Sequence, residues 1–201
     1  VLVTRWTLSC DPGMKIVNDR ITKDQAKSQA LLELIVTRRP RFREQALLAA
    51  GGRVFPAVLG RTGTRLLKQE GDGATPIARM RLLYGFYRAD RLRLPQTRLS
   101  MTPIQPTMGW CDAPLHPAYN RPVRLPFADG HESLLRKDGL YDICLVLDWN
   151  IRSRRRHLGS AIFFHLAESD SKPTEGCIAI RQSDMLQLLP MLGPRTHVTV
   201  R

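Results

Sequence analysis

The chain has 201 residues, 43% of them hydrophobic and 24% charged, with a formal net charge of +13. That length suits one domain of somewhat more than average size, able to bury a core without metal or disulfide staples. No apolar run approaches the roughly 18 residues that a membrane-spanning helix needs, whereas the cationic excess favours anionic surfaces such as wall polymers or lipid head groups.

Val1–Leu8 lacks the sustained apolar region and small-residue cleavage site of a secretory signal, so such a signal is expected to be absent, already removed or outside this stretch. Residues 1–30 read as a poorly defined N-terminal extension and residues 31–201 as the domain proper. Within the extension, Thr22 with Gln25 three positions on has the capping-box pattern and predicts a short helix. Leu34–Thr37 ends β-branched before Arg38-Arg39-Pro40, which favours a strand. Gln45–Ala50 and Val54–Leu59, joined at Gly51-Gly52, have the look of a hairpin. Ile77–Tyr84 alternates in the manner of a half-buried strand.

Leu94–Asp129 differs in kind, because seven prolines and few periodic apolar positions predict a long ordered loop. Trp110 and Tyr119 give it aromatic surface, and Tyr119-Asn120-Arg121 is placed to line a cleft, with Arg121 either gripping a carboxylate through its guanidinium fork or clamping backbone carbonyls. Strong strands follow at Leu140–Trp149 and Ala161–Ala167, with the cationic Arg152–His157 between them as a solvated tip. Ser183 is positioned to cap a short helix, Asp184–Leu192, that Pro190 ends or kinks, and Thr196–Val200 closes the chain as a strand. Arginines are spread along the whole chain without a helix-turn-helix, zinc-finger or aromatic-interleaved motif, so no specific nucleic-acid partner is expected.

Four cysteines lack the paired spacing of a zinc site, and no disulfide or metal site is expected from Cys10, Cys111, Cys144 and Cys177. Cys144, inside Ile-Cys-Leu-Val-Leu, reads as core, and Cys111 borders the Pro-rich stretch. Cys177 stands apart because His165 lies twelve positions before it, each in an apolar strand-like run, with the polar Glu168–Glu175 between. Two strands joined in this way can lie side by side and bring an imidazole base within reach of a thiol nucleophile. Gly176 lets the backbone turn tightly, so that the N–H groups of Gly176 and Cys177 can face a developing oxyanion. The same residues also fit a small buried hydrophobe and a satisfied core histidine.

Gly159-Ser160-Ala161-Ile162-Phe163-Phe164-His165 and Pro173-Thr174-Glu175-Gly176-Cys177-Ile178 resemble the catalytic signature of the L,D-transpeptidase (YkuD-type) family. Leu59–Gly63, Lys68–Gly73, Thr75-Pro76, Gly109–Asp112 and Tyr119–Val123 are similar to further segments of it, and the likeness covers about Leu31–Arg201. Three positions depart from the family pattern: Glu175 stands where a second His is usual, Ala179 where Arg or Asn is usual, and Ala78 where a Gly is usual.

The resemblance implies a mostly β, YkuD-like β-sandwich with a few short helices. It implies a cysteine acyltransferase acting on peptidoglycan stem peptides, with Cys177 as nucleophile, His165 as base, and no metal or organic cofactor. Thr174, Glu175, Trp110, Tyr119, Asn120 and Arg121 are expected to bind substrate, with Glu175 meeting a cationic amine and raising the thiol pKa. A protein amine is a second possible acceptor, and the implied setting is a monomer in the periplasm or cell envelope. A hydrolase on the same substrates, or a weakened wall-binding module, are the alternative readings.

Overall fold

The structure, a computed structural model, describes residues 31–168 and 172–201. The helix expected at Thr22 lies outside the described residues. Binary patterning is obeyed strand by strand. β1 (Glu33–Arg38) buries Leu34 and Val36, β2 (Gln45–Ala50) buries Ala46, Leu48 and Ala50, and β3 (Arg53–Val58) buries Phe55, Ala57 and Val58. Gly51 and Gly52, at φ +54° and +78°, make the two-residue turn between β2 and β3, a left-handed pair that glycine adopts without strain.

β4 (Thr64–Arg65) and β5 (Thr75–Pro76) form a small parallel ladder, and β6 (Arg79–Tyr87) follows, running three residues beyond the expected strand. β7 (Met101–Pro103), β8 (Met108–Cys111), β9 (Arg121–Arg124) and β10 (His131–Ser133) come next. β11 (Ile143–Leu147), shorter than expected, leads to β12 (Phe163–Leu166) and β13 (Ile178–Ile180), then helix α1 (Gln182–Leu188) and β14 (His197–Val200). The mostly β architecture expected from the sequence is present.

The main sheet runs β11-β12-β13-β3-β2-β1-β14-β6-β7, and β11 also pairs with β6. Its two halves are therefore one surface closed on itself, which leaves fewer open edges. One face carries the larger core, including Leu34, Leu48, Met80, Leu82, Leu145, Phe164, Ile178 and Val198, to which α1 adds Met185 and Leu188. At about 1.5–3 kcal/mol per fully buried large side chain, this face dominates the stability. The opposite face carries a second cluster with Phe86, Trp110, Leu134, Tyr141, Cys144, Val146, Phe163 and Cys177.

Two expectations need correcting. The Pro-rich stretch is not a plain loop: it contains β7, β8 and β9, and β8 pairs with both β9 and β10 in a three-stranded sheet. Its prolines are compatible with strands because Pro103 and Pro122 fall on edge strands, where a missing N–H costs no ladder bond. Ser183 is not the cap of α1 but lies inside it; Arg181 is the N-cap and makes no side-chain cap bond. The α-helix ends at Leu188 and Pro190 falls in a 3-10 turn, Leu189–Met191, as a residue without N–H requires. Cys144 is core, Cys111 is also fully buried, and both have free thiols like Cys177. Arg152–His157 is an exposed turn, as expected.

Candidate active site

β12 and β13 are parallel neighbours, with Phe164 opposite Ile178 and His165 opposite Ala179. Because side chains alternate along a strand, Phe164 and Ile178 face the large core while Phe163, His165, Cys177 and Ala179 face the other way. His165 on β12 and Cys177, the residue just before β13, thus share one face two rungs apart. Both line one cavity of ≈460 Å³.

The sequence around Cys177 is fixed through its backbone. Its carbonyl accepts bonds from the hydroxyls of Thr174 (2.7 Å) and Thr75 (3.2 Å), and Thr75 Oγ1 in turn accepts the N–H of Gly60 (2.9 Å). The upstream Gly and Thr-Pro elements therefore hold Cys177 directly. Glycine is required at Gly60, since an added Cβ would lie 2.3 Å from the Gly73 carbonyl oxygen, and at Gly176, with φ +137° and a would-be Cβ 2.8 Å from the Ala74 carbonyl oxygen. The Gly176 N–H already has an acceptor in Thr174 Oγ1 (3.2 Å).

The thiol accepts the Phe163 N–H (3.3 Å) and donates to the Ala161 carbonyl (3.2 Å). Burial, and next the Glu132 carboxylate, push its pKa up to about 12. His165 Nδ1 lies 2.7 Å from the Leu166 carbonyl. A carbonyl can only accept, so Nδ1 carries the hydrogen and Nε2 keeps its lone pair. Burial lowers the imidazole to about 4, so it is neutral at physiological pH. Among the described residues no hydrogen bond joins thiol and imidazole, and the resting pair is uncharged.

Tyr141 packs edge-on against both His165 (5.3 Å between centroids) and Phe163 (5.7 Å). Its hydroxyl donates to Glu132 Oε1 (2.7 Å), which also accepts from Arg136 Nη1 (3.0 Å). Arg136 in addition grips Asp138 and lies over the Tyr141 ring at 5.1 Å. Burial, outweighing these bonds, raises the Glu132 pKa. Glu132, Arg136 and Tyr141 line the cavity, and the sequence reading missed all three. The available signal was a Glu-x3-Arg spacing with a Tyr soon after, in a segment whose strand, β10, was not anticipated.

Of the expected substrate-binding residues, Thr174 and Glu175 line the cavity and the other four do not. Glu175 is exposed and paired with Arg61 Nε (2.9 Å), and the carboxylate acting on the thiol is Glu132 instead. Trp110 is buried, with its ring edge-on to Phe163 (5.1 Å). Asn120 is buried as well: its Oδ1 accepts from Trp110 Nε1 and from the Ala161 N–H (3.0 Å each), and its Nδ2 donates to the Trp149 carbonyl (3.0 Å). Tyr119 is buried and donates to Glu70, which also takes the Ser160 hydroxyl (2.8 Å), and Arg121 is exposed on β9. These residues hold the wall behind Cys177.

The cavity lining carries Glu70, Asp112, Glu132, Glu168 and Glu175 against Arg136 and Lys172. A strongly basic chain thus presents a predominantly acidic cavity at its one buried thiol–imidazole pair among the described residues.

Residues 33–200 match the family model of the YkuD L,D-transpeptidase catalytic domain. Among solved structures, L,D-transpeptidase 1 of Mycobacterium tuberculosis is 12% identical, with a TM-score of 0.36, over 84% of this chain and 61% of that one. The chain thus spans about three-fifths of that protein's length. No curated protein matches.

Proposed function

Since the chain belongs to the YkuD L,D-transpeptidase catalytic domain family, we propose that it is a cysteine acyltransferase acting on peptidoglycan stem peptides. The observation that carries this reading is that His165 on β12 and Cys177 just before its parallel neighbour β13 line one cavity. Cys177 sulfur attacks the carbonyl of the stem diamino acid while its proton passes to His165 Nε2. The C–N bond to the terminal D-amino acid breaks, that amine takes the proton from His165, and a thioester remains. An acceptor amine, from a second stem or from a protein, then attacks the thioester, gives its proton to His165 and returns the thiol. Starting from a neutral pair suits this chemistry, because proton transfer and attack proceed together and no ion pair is buried beforehand.

The Cys177 N–H serves as an oxyanion donor. Gly176 N–H joins it on releasing Thr174 Oγ1. Thr174 and Glu175 are the substrate contacts retained at the rim, and the reaction uses no cofactor. The setting is a monomer in the periplasm or cell envelope.

The test is mass spectrometry of purified stem tetrapeptides after incubation with the protein and with Cys177→Ala. Dimers that require Cys177 support transfer. Trimmed monomers mean that water takes the acceptor's place, and unchanged peptides overturn the enzyme reading.

A further inference from the structure

The Glu132 carboxylate is asymmetric in its bonding. Oε1 takes both the Tyr141 hydroxyl and Arg136 Nη1, whereas Oε2 has no hydrogen-bond partner among the described residues. It is not a buried unsatisfied atom either, since no such atom exists among the described residues, so Oε2 is reached from the cavity that Glu132 lines. The cavity lining therefore presents a carboxylate oxygen without a protein partner among the described residues, held in place by a tyrosine and an arginine. Arg136 does not neutralise it fully, because the guanidinium is shared with Asp138.

We propose that Glu132 Oε2 is the docking point for a primary ammonium group of the substrate, and so a specificity-determining residue of this cavity. The proposal rests on the acyltransfer reading for the identity of the ligand as a diamino acid, though not for the existence of the site. It moves the amine contact expected at Glu175 to a residue whose geometry is fixed, since Glu175 is exposed and already tied to Arg61.

Docking has a consequence for the nucleophile. The charged groups acting on Cys177 are Glu132, which opposes a thiolate, and Lys68 and Arg136, which favour it; neutral His165, Tyr141 and Cys144 complete its polar surroundings. Asp112 is the other carboxylate acting on Glu132. An ammonium on Oε2 cancels the opposing charge, so the thiol ionises more readily with substrate in place than in the empty cavity. The nucleophile is then quiet until the correct ligand arrives.

The experiment follows alkylation of Cys177 by neutral iodoacetamide at pH 8, read by mass spectrometry of the Cys177 peptide. It is run with Nα-acetyl-lysine amide, which carries one ammonium, and with its Nε-acetylated analogue, which carries none. Taking the ratio of the two rates removes steric occlusion. In the native protein the charged probe should give a severalfold faster rate than the neutral one. In Glu132→Gln, whose amide oxygen still accepts from Tyr141, the ratio should fall to one. The unliganded rate should also rise about tenfold, the change that one unit in thiol pKa makes to the thiolate fraction. Tyr141→Phe, which keeps the carboxylate charge, should stay slow without ligand. Equal rates with the two probes in the native protein, or the same probe ratio in Glu132→Gln, would overturn the proposal. So would an unliganded Glu132→Gln rate no faster than native, or an equal gain in Tyr141→Phe. None of these readings needs acyl transfer, so persistence of stem-peptide turnover in Cys177→Ala would instead sink the acyltransferase reading and leave the ammonium site standing.

Discussion

Replacing Asn120 by Ala should unfold the protein more easily and disturb Cys177 without touching substrate. Asn120 is 1% exposed and sits at φ +56°, with Oδ1 serving Trp110 Nε1 and the Ala161 N–H while Nδ2 serves the Trp149 carbonyl. Alanine orphans two donors and an acceptor. At about 1–3 kcal/mol for each buried group left unsatisfied, the two donors alone cost roughly 2–6 kcal/mol. Left-handed backbone adds about 1–2 kcal/mol for alanine, and Asn120→Gly avoids that part. Urea unfolding with linear extrapolation should therefore rank the native protein above Gly and Gly above Ala. Because the Ala161 carbonyl accepts the thiol proton, loosening this residue should also change the rate of Cys177 alkylation. An Asn120→Ala protein within about 0.5 kcal/mol of native, with unaltered alkylation, would refute this reasoning. A stable variant with only a raised KM would return Asn120 to the role of substrate contact.

Three further outcomes are expected. Gly176→Ala should cost roughly 1–3 kcal/mol by overpacking, and abolish turnover, because its Cβ meets the Ala74 carbonyl at 2.8 Å in a backbone region closed to alanine; thermal unfolding and the stem-peptide assay check both. Thr75→Val, nearly isosteric, should cost about 2–4 kcal/mol by stranding the Gly60 N–H and removing a donor from the Cys177 carbonyl, with Thr75→Ser close to native in the same unfolding experiment. Acid should destabilise through His165. Burial lowers its folded pKa to about 4 from 6.5, so the unfolded chain binds the extra proton first and stability falls as pH drops from about 6.5 to 4. The effect is on the order of 3 kcal/mol and is absent in His165→Asn when unfolding is followed against pH.

Alternation made β6 legible, a β-branched end before Arg38-Arg39-Pro40 did so for β1, and an apolar, aromatic run did so for β12. The hairpin at Gly51-Gly52 was legible for a different reason, a turn chemistry that few residues allow. The Pro-rich segment was misread because proline counts against strands only where the N–H must pair, and edge strands relax that condition. The pairing of Cys177 with His165 was readable as two apolar runs around a polar connector. Glu132 and Arg136 were not, since their importance comes from β10 lying beside β8, a long-range pairing that leaves no local mark. Asn120 stood out for its neighbours but in the wrong role, since this polar residue of a Pro-rich stretch is a buried fastener and not a cleft contact.

The parallel pairing of β12 with β13 sets where this sequence is free to drift. Cys177 and His165 belong to the same parity class of two neighbouring ladders, and the connector between them, Glu168–Glu175, lies outside both. Lengthening or shortening that connector ahead of Thr174 leaves the parity intact. A single residue inserted between Phe163 and His165, by contrast, would turn the imidazole into the apolar core and an aliphatic side chain into the cavity. The freedom of the connector ends at Thr174, whose hydroxyl holds the Cys177 carbonyl, while the short ladders behave as a frame that reads only in steps of two.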